Sequence, residues 1–522
     1  MKPLEEDTGL SMDSLKVAYE GLMERARELI ILDSAMAVIH WDMETMMPPA
    51  AVSLRSQQLS LIERIMHKML TDPRVGSLLK EISSHPLIES LDDVQRRNVH
   101  LIGKAYEEAV RLPEELVAET ARQRAITIDI WKKAKASKDY KPFSPHLERL
   151  FELRRRAAEL LMEVKGVKTP YDALIDIYEP GMASDTIAEI FSELRPRLIR
   201  IMDRCISSGQ PDTSFLRRRV PVEIQRRISE ALASFIGYDI NSKEAWGRID
   251  ETEHPFTTGY YDDVRITTHY YEDQFTSSIF SVLHEGGHAI YERGLPREWM
   301  YQPVGSSCSY GIHESQSRFV ENIVGRSSEF WSYFLPKLKG LTGSTLEDVS
   351  LESFVRAVNR VEPSKIRIRA DEVTYGLHII IRFELERSLF NDEVGVSELP
   401  SAWNERYEKY LGVEVEDDSE GVMQDTHWAG GSFGYFPSYT LGNIYSGQIL
   451  KAMERDLPDW RSLISSGSFK EVRSWLTTHV HRYGRLYDPA DLIKLVSGSE
   501  LTIDPFIRYL EEKYSTLYGF KA

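Results

Sequence analysis

The clearest chemistry in this sequence lies in His284-Glu285-Gly286-Gly287-His288, an HExxH motif. Residues four apart return to the same face of a helix, so the imidazoles of His284 and His288 can bind one metal ion. Glu285 projects beside that ion, where its carboxylate can act as general base: it takes a proton from a metal-activated water and passes it to a leaving amine. The motif predicts hydrolysis at a metal centre.

A catalytic zinc ion usually has three protein ligands and one open position, so a third ligand must come from elsewhere in the chain. Tyr291 stands where the HExxHxxGxxH pattern has glycine, which excludes a metzincin site. Glu314, 26 residues beyond His288, is the first choice, and Glu321, two turns further along the same face, is the alternative. His313 is a further candidate ligand, but a position behind a ligand or facing the substrate suits it better.

Two adjacent glycines lie inside the motif. Glycine costs about 1 kcal/mol relative to alanine in a helix interior, so Gly286 and Gly287 are unexpected in a helix built for stability alone. A close approach of substrate or of neighbouring backbone would explain them. The alternative interpretation is a tightly packed helix crossing with no chemical role.

The motif needs a helix to hold it. Apolar residues and turn signals predict a helix that begins near Phe275 and ends at Gly294, just before Pro296. Before it, residues 254–274 are rich in Thr, Tyr, Val and Ile and predict short strands and turns. Most of the remaining chain predicts helices, apart from residues 424–443, where glycines and aromatic residues predict a packed loop. Helical periodicity in the first half covers residues 14–37, 54–69, 94–110, 144–165 and 184–206.

Composition bounds the class of protein. The 522 residues are 42% hydrophobic and carry a net charge of -17, without a basic cluster that could bind nucleic acid. An acidic surface disfavours anionic membranes, no apolar stretch is long enough to span a bilayer, and residues 1–13 lack the apolar core of a signal peptide. The only cysteines, Cys205 and Cys308, form no thiolate metal motif and fit a reducing cytoplasm.

Several further motifs occur in a fixed order along the chain. Together with the HExxH motif they resemble the carboxypeptidase Taq family of thermostable metallocarboxypeptidases, and the resemblance covers essentially the whole chain. The motifs are WDMETMMP (41–48) with Arg55 and Gln58, HPF (254–256), DVRIT (263–267), HESQ (313–316), IRIRAD (366–371), GVMQDTHW (421–428) and GYFPSY (434–439).

The resemblance implies one divalent metal, zinc or cobalt, bound by His284, His288 and Glu314, with Glu285 as general base. It implies a mainly α, saddle-like fold with a deep substrate groove, usually as a homodimer. It also implies release of single C-terminal residues with broad specificity. We expect one catalytic unit over residues 1–522, with a helical lobe over roughly residues 1–245, a metal-site lobe over roughly residues 246–522, and a small β-element beside the HExxH helix.

A carboxypeptidase must also recognise the free carboxylate of its substrate. The planar guanidinium of an arginine can bind both carboxylate oxygens. Arg367 is the first candidate for this role, followed by Arg265 and Arg369. Each of these arginines could instead form a surface or interlobe salt bridge. His427 and Tyr435 are candidates for stabilising an anionic intermediate, although a buried aromatic loop also needs hydrogen-bonded His and Tyr to fold.

Asp263 is expected to hold His254 or a metal ligand in place. Two alternative functions remain open: an oligopeptidase that cuts inside short peptides, and a non-catalytic helical binding protein. The intact Glu285 argues against the second, because a structural metal site has no use for a base.

Overall fold

The computed structural model describes residues 12–521, and these are mostly helical, as the sequence predicts. The segment 1–13, which shows no signal-peptide pattern, lies almost entirely outside the described residues. Among the described residues, no helix is both long and apolar enough to cross a bilayer.

Within residues 12–521, twenty α-helices follow one another along the chain, interrupted by one three-stranded sheet. A π-helical turn, Phe319–Val324, continues directly from the helix Tyr310–Arg318. The helices before the sheet are α1 (Met12–Thr45), α2 (Val52–Leu70), α3 (Pro73–Ser83), α4 (Asp93–Arg111), α5 (Glu114–Ser137), α6 (Ser144–Lys165), α7 (Pro170–Tyr178), α8 (Ser184–Ser207) and α9 (Val222–Ile236). Those after it are α10 (Phe275–Gly294), α11 (Tyr310–Arg318), α12 (Ser328–Thr342), α13 (Leu351–Val358), α14 (Tyr375–Phe390), α15 (Leu399–Leu411), α16 (Pro437–Asp456), α17 (Trp460–Ser465), α18 (Lys470–His479), α19 (Pro489–Ser497) and α20 (Asp504–Tyr518).

The sheet lies between α9 and α10 in the chain and comprises β1 (Gly247–Glu251), β2 (Thr257–Tyr260) and β3 (Asp263–Thr268). The central strand is β3, which pairs parallel with β1 and antiparallel with β2. In the register, Arg265 lies opposite Arg248 on one side and Thr258 on the other. Both β2 and β3 contact α10, so this small sheet forms a wall beside the HExxH helix.

The predicted elements agree with the structure at most positions. The five predicted helical segments of the first half lie within α1, α2, α4, α6 and α8, and α10 has the predicted bounds. The predicted loop over residues 424–443 is wrong at its end, because α16 begins at Pro437. Proline suits the first turn of a helix, where its missing N–H is not needed. The aromatic and glycine-rich composition that indicated a loop serves instead to pack this helix closely.

Burial places most of the chain around one core. The main hydrophobic cluster extends from Trp131 to Tyr518 and so crosses residue 245, where a lobe boundary is predicted. A separate, smaller cluster joins α1, α3 and α4 through residues such as Leu15, Val75 and Ile102. The division into two lobes therefore stays a prediction.

Candidate metal centre and active site

The site is built where α10 and α11 cross. A Cβ added to Gly287 would lie 2.7 Å from both the carbonyl oxygen of Gln316 and the Cα of Ser317, both in α11. From α16, a Cβ on Gly442 would lie 2.8 Å from Cβ and Cγ of Glu314 in α11. Glycine at these two positions lets α11 sit closely between α10 and α16. The neighbour that the Gly287 position accommodates is thus protein backbone.

The three predicted ligand side chains come together at this crossing. One carboxylate oxygen of Glu314, Oε2, lies 3.6 Å from Nε2 of His284 and 3.5 Å from Nε2 of His288. The ligand atoms of all three residues lie within 4.8 Å of one another. Two donors bound tetrahedrally to one zinc ion lie about 3.4 Å apart, so the spacing and the N, N, O donor set fit a divalent metal of the zinc type.

Glu321, the alternative ligand, instead supports His284 from behind. Nδ1 of His284 lies 2.8 Å from Oε2 of Glu321. A carboxylate only accepts hydrogen bonds, so Nδ1 carries a proton, and Nε2 is the nitrogen directed at Glu314. Arg318 donates through Nε to Oε1 of Glu314 at 2.7 Å and through Nη1 to Glu321 at 3.2 Å, which ties the two carboxylates together.

The charges around the three ligands favour an anionic Glu314. Burial raises the pKa of Glu314, but Arg318 and His284 outweigh it and hold that pKa well below its ordinary value. Burial lowers the pKa of His284, yet the carboxylates of Glu314 and Glu321 raise it overall, to about 8. His288 shows the opposite result, because burial and His313 lower its pKa to about 3. The pocket therefore presents a carboxylate and a neutral imidazole, both of which are metal ligands in those forms.

Glu285 lies beside this cluster and contacts the sheet. The hydroxyl of Thr257 in β2 donates to Oε2 of Glu285 at 2.6 Å and to its carbonyl oxygen at 3.0 Å. Burial raises the pKa of Glu285, whereas His284 and Thr257 oppose the rise. A raised pKa makes this carboxylate a stronger base than an ordinary glutamate, which suits it to take a proton from water.

The ring of His313 lies against the ring of His288. The two imidazole rings stack with centroids 4.3 Å apart, and Nε2 of His313 lies 2.8 Å from Oε1 of Glu292. Nδ1 of His288 is buried and has no hydrogen-bond partner among residues 12–521. The stack with His313 and the edge-on contact with the His284 ring, 4.9 Å between centroids, hold the plane of the His288 ring.

Arg367 is 6% exposed and its guanidinium is held in place. Nε and Nη2 donate to Oδ1 of Asp425 at 3.1 and 2.8 Å, and Nη1 donates to the hydroxyl of Tyr375 at 3.1 Å. Arg382 binds the other oxygen of Asp425 through Nε at 2.8 Å. The guanidinium of Arg318 lies over the ring of Tyr375, with its Cζ 4.3 Å from the ring centroid. One tyrosine thus connects Arg367 to the arginine that binds Glu314.

His427 and Tyr435 belong to an aromatic cluster next to Arg367. The Tyr435 ring packs edge-on against Tyr178 at 5.0 Å and against Tyr439 at 5.2 Å, and lies 5.1 Å from the ring of His427. The guanidinium of Arg367 lies 5.1 Å from the centroid of Tyr439. The structure therefore brings Arg367, His427 and Tyr435 into one neighbourhood.

The remaining predicted residues have other partners or are exposed. Asp263 does not hold His254; it binds Arg265 instead, through two hydrogen bonds of 2.7 Å. The pairing follows from their positions two apart on β3, where side chains share a face. The Arg265 guanidinium also lies over the ring of Trp41 at 4.3 Å, while His254 and Arg369 are exposed. Substrate roles for His254, Asp263 and Arg265 stay predictions.

Sequence reasoning missed Thr257, Arg318, Tyr375 and Asp425. For Arg318 a signal was present, because it stands four residues after Glu314 and so lies on the same helix face. Asp425 lies within the GVMQDTHW motif, but nothing local shows that it pairs with Arg367 and Arg382. Thr257 and Tyr375 reach the site only through tertiary packing.

Comparison with known proteins identifies the family of this chain. The profile of the family described as carboxypeptidase Taq (M32) metallopeptidase matches residues 21–514. Thermostable carboxypeptidase 1 of Thermus thermophilus is 43% identical over 97% of this chain and 99% of its own length, and carboxypeptidase 1 of Bacillus subtilis is 39% identical over 93% and 95%. The crystal structure of an M32 carboxypeptidase from Deinococcus radiodurans superposes with a TM-score of 0.92 at 36% identity, covering 96% of this chain and 100% of that one. The chain therefore belongs to the carboxypeptidase Taq (M32) family and is a metallocarboxypeptidase.

Proposed function

We propose that this enzyme releases single C-terminal amino acids from peptides with broad specificity, at one divalent metal bound by His284, His288 and Glu314. The observation that carries the proposal is that one oxygen of Glu314 lies 3.6 and 3.5 Å from the Nε2 atoms of the two histidines. Zinc is the metal that this donor set favours, and cobalt is the alternative.

A metal bound there would polarise the scissile carbonyl and make a water molecule more acidic. Glu285 then acts as the general base: its carboxylate takes a proton from the attacking water and returns it to the amine of the leaving residue. The hydroxyl of Thr257, 2.6 Å from Oε2, fixes the direction in which this carboxylate points. His284 keeps its proton on Nδ1 through Glu321 and is available at Nε2.

Arg367 is our candidate for the group that binds the substrate's terminal carboxylate. Arginine has five N–H donors, and the contacts to Asp425 and Tyr375 use three of them. One N–H on each of Nη1 and Nη2 is left, which is the pair that a bidentate carboxylate needs. Asp425 and Tyr375 hold the fork rigid, so little side-chain entropy is lost when a carboxylate binds.

Three wider proposals go with this one. We propose a single catalytic unit with a deep groove that admits unfolded peptides with a free C-terminus, and His313, His427 and Tyr435 as residues along its wall. We propose a homodimer, on the resemblance alone. A cytoplasmic location is supported by Cys205 and Cys308, which are both buried and unpaired.

A paired assay tests the proposed function. One substrate is an N-blocked peptide with a free C-terminus and the other is the same peptide amidated, each with and without a chelator. We expect only the free acid to lose its last residue, and the chelator to stop the reaction. Internal cleavage of both peptides would show an oligopeptidase and would leave Arg367 without its role. If neither peptide is cleaved with any divalent metal, a non-catalytic binding protein is the better explanation.

A further inference from the structure

The residue that supports His284 is not in an α-helix. Glu321 lies in the π-helical turn Phe319–Val324, where the N–H of Gly325 donates to the carbonyl of Val320, five residues back, at 2.9 Å. A π-turn is a rare element that is often found at functional sites. Because it rotates the chain differently from an α-helix, it determines where the Glu321 carboxylate points relative to Glu314, seven residues earlier.

The π-turn needs partners from outside itself. The last carbonyls of a helix receive no hydrogen bond from within the helix, so donors from outside it must bind them. The carbonyl of Asn322 accepts hydrogen bonds from the hydroxyl of Tyr509 at 3.2 Å and from Nζ of Lys513 at 3.3 Å, and both donors belong to α20. Lysine is favoured at this end of a helix, where the carbonyls carry partial negative charge.

The side chain of Asn322 is linked to the carboxylate of Glu321 through Arg326. Its Oδ1 accepts from Nε of Arg326 at 3.0 Å, and Nη2 of Arg326 donates to Oε1 of Glu321 at 3.2 Å. The other oxygen of Glu321 faces Nδ1 of His284. Asn322 therefore connects α20 on one side to the carboxylate that orients a metal ligand on the other.

The two α20 donors are themselves fixed by a buried carboxylate. Glu372 is 8% exposed and accepts from Nζ of Lys513 at 2.6 Å and from the hydroxyl of Tyr514 at 3.1 Å. It also accepts at 2.9 Å from the hydroxyl of Tyr509, whose single hydrogen is shared with the carbonyl of Asn322. Among residues 12–521, Tyr514 donates only to Glu372 and does not reach Asn322. Tyr509 differs from it in contacting the π-turn and in accepting a hydrogen bond from Nζ of Lys513 at 3.0 Å.

We propose that Tyr509 and Lys513, in the C-terminal helix, are positioning residues of the metal centre: they fix the end of the π-turn and so aim Glu321 at Nδ1 of His284. The inference rests on the proposed metal ligands. Neither residue contacts a ligand, and both act through Asn322 and Glu321.

The test is a zinc competition titration of the apo-protein against a chelator of known affinity. Tyr509→Phe should weaken zinc binding by about threefold to tenfold, below the tenfold to hundredfold loss that is typical for a direct partner of a ligand. Tyr514→Phe should leave zinc affinity within about twofold, although it too removes a donor to Glu372 and should lower the Tm of the apo-protein. Lys513→Met should weaken zinc binding in the same direction as Tyr509→Phe.

A double-mutant cycle completes the test. In the background of Glu321→Gln, Tyr509→Phe should cause no further loss of zinc affinity, because its effect passes through Glu321. The proposal is overturned if Tyr509→Phe and Tyr514→Phe weaken zinc equally, if both leave it unchanged, or if the two losses in the cycle simply add. A wild-type protein that binds no zinc, cobalt or other divalent metal would instead overturn the metal centre itself.

Discussion

Gly287 of α10 lies directly against Ser317 of α11, so closely that a Cβ on the glycine would lie 2.7 Å from the Cα of Ser317. The adjacent contact is to the backbone carbonyl of Gln316, which cannot rotate away as a long side chain could. The distance between these helices therefore sets the distance between Glu314 and the two histidines. Gly287 is the second variable position of the HExxH motif, so the close helix contact lies within the motif itself.

Gly287→Ala should push α11 away from α10. We expect the free energy of unfolding to fall by about 1–3 kcal/mol, as for other overpacked sites, and zinc affinity to fall by about tenfold or more. Gly340→Ala is the control, because a Cβ there meets no heavy atom within 4 Å. That change should stabilise α12 by up to about 1 kcal/mol and leave zinc binding unchanged. Normal zinc affinity in Gly287→Ala would show that the crossing does not set the site.

Thr257→Val should alter the pH dependence of catalysis. The Thr257 hydroxyl lowers the pKa of Glu285, so its removal should raise that pKa further above the ordinary value. The base must be unprotonated, and the acid limb of kcat/KM should therefore move to higher pH while activity on the alkaline side stays close to wild type. The measurement is a kcat/KM profile from pH 5 to 9. An acid limb that moves to lower pH would contradict the assignment of Glu285.

Arg367→Lys should separate charge from geometry. Lysine retains the positive charge but cannot bind Asp425 and a substrate carboxylate with one planar fork. We expect kcat/KM for free-acid peptides to fall by about tenfold to a hundredfold, chiefly through KM. Arg265→Lys is the matched control, since that guanidinium lies over Trp41 and binds Asp263. An equal loss in both variants would favour a substrate role for Arg265 as well.

Glu386 should make stability depend on pH. It accepts hydrogen bonds from Tyr171, Trp428 and Gly434, and burial raises its pKa from 4.5 to about 7. The folded state then holds the proton more tightly than the unfolded chain, so this stabilisation is complete below pH 4.5 and is lost as pH rises through 7. The free energy of unfolding lost over this pH range is about 3 kcal/mol.

Glu386→Gln stays neutral and should lose this dependence. We expect the Tm of the wild type to fall more between pH 5 and pH 8 than that of the variant. Glu179, whose pKa burial also raises to about 7, is present in both proteins and cancels in the comparison. Parallel Tm profiles for the two proteins would contradict a raised pKa at Glu386.

Local signals in the sequence were enough to predict the helix that carries the HExxH motif. The bounds of α10 followed from its apolar pattern and from Gly294 and Pro296 at its end, and spacing alone ranked Glu314 above Glu321. Long-range partners were out of reach, because the register between distant segments is set by packing. The pairing of Arg367 with Asp425 and the contact of Thr257 with Glu285 are of this kind. The start of α16 was missed because its glycine signals a loop in sequence but serves close packing against Glu314.

The most direct test of this account is to count metal and measure turnover in Glu285→Gln. The amide is nearly the same size as the carboxylate and leaves His284, His288 and Glu314 untouched. We predict one metal ion per chain, as in the wild type, and a loss of kcat of about 10²–10⁴-fold or more, which is what removal of a general base costs. Retained turnover would contradict the role of Glu285, and loss of the metal would show that this residue belongs to the ligand set.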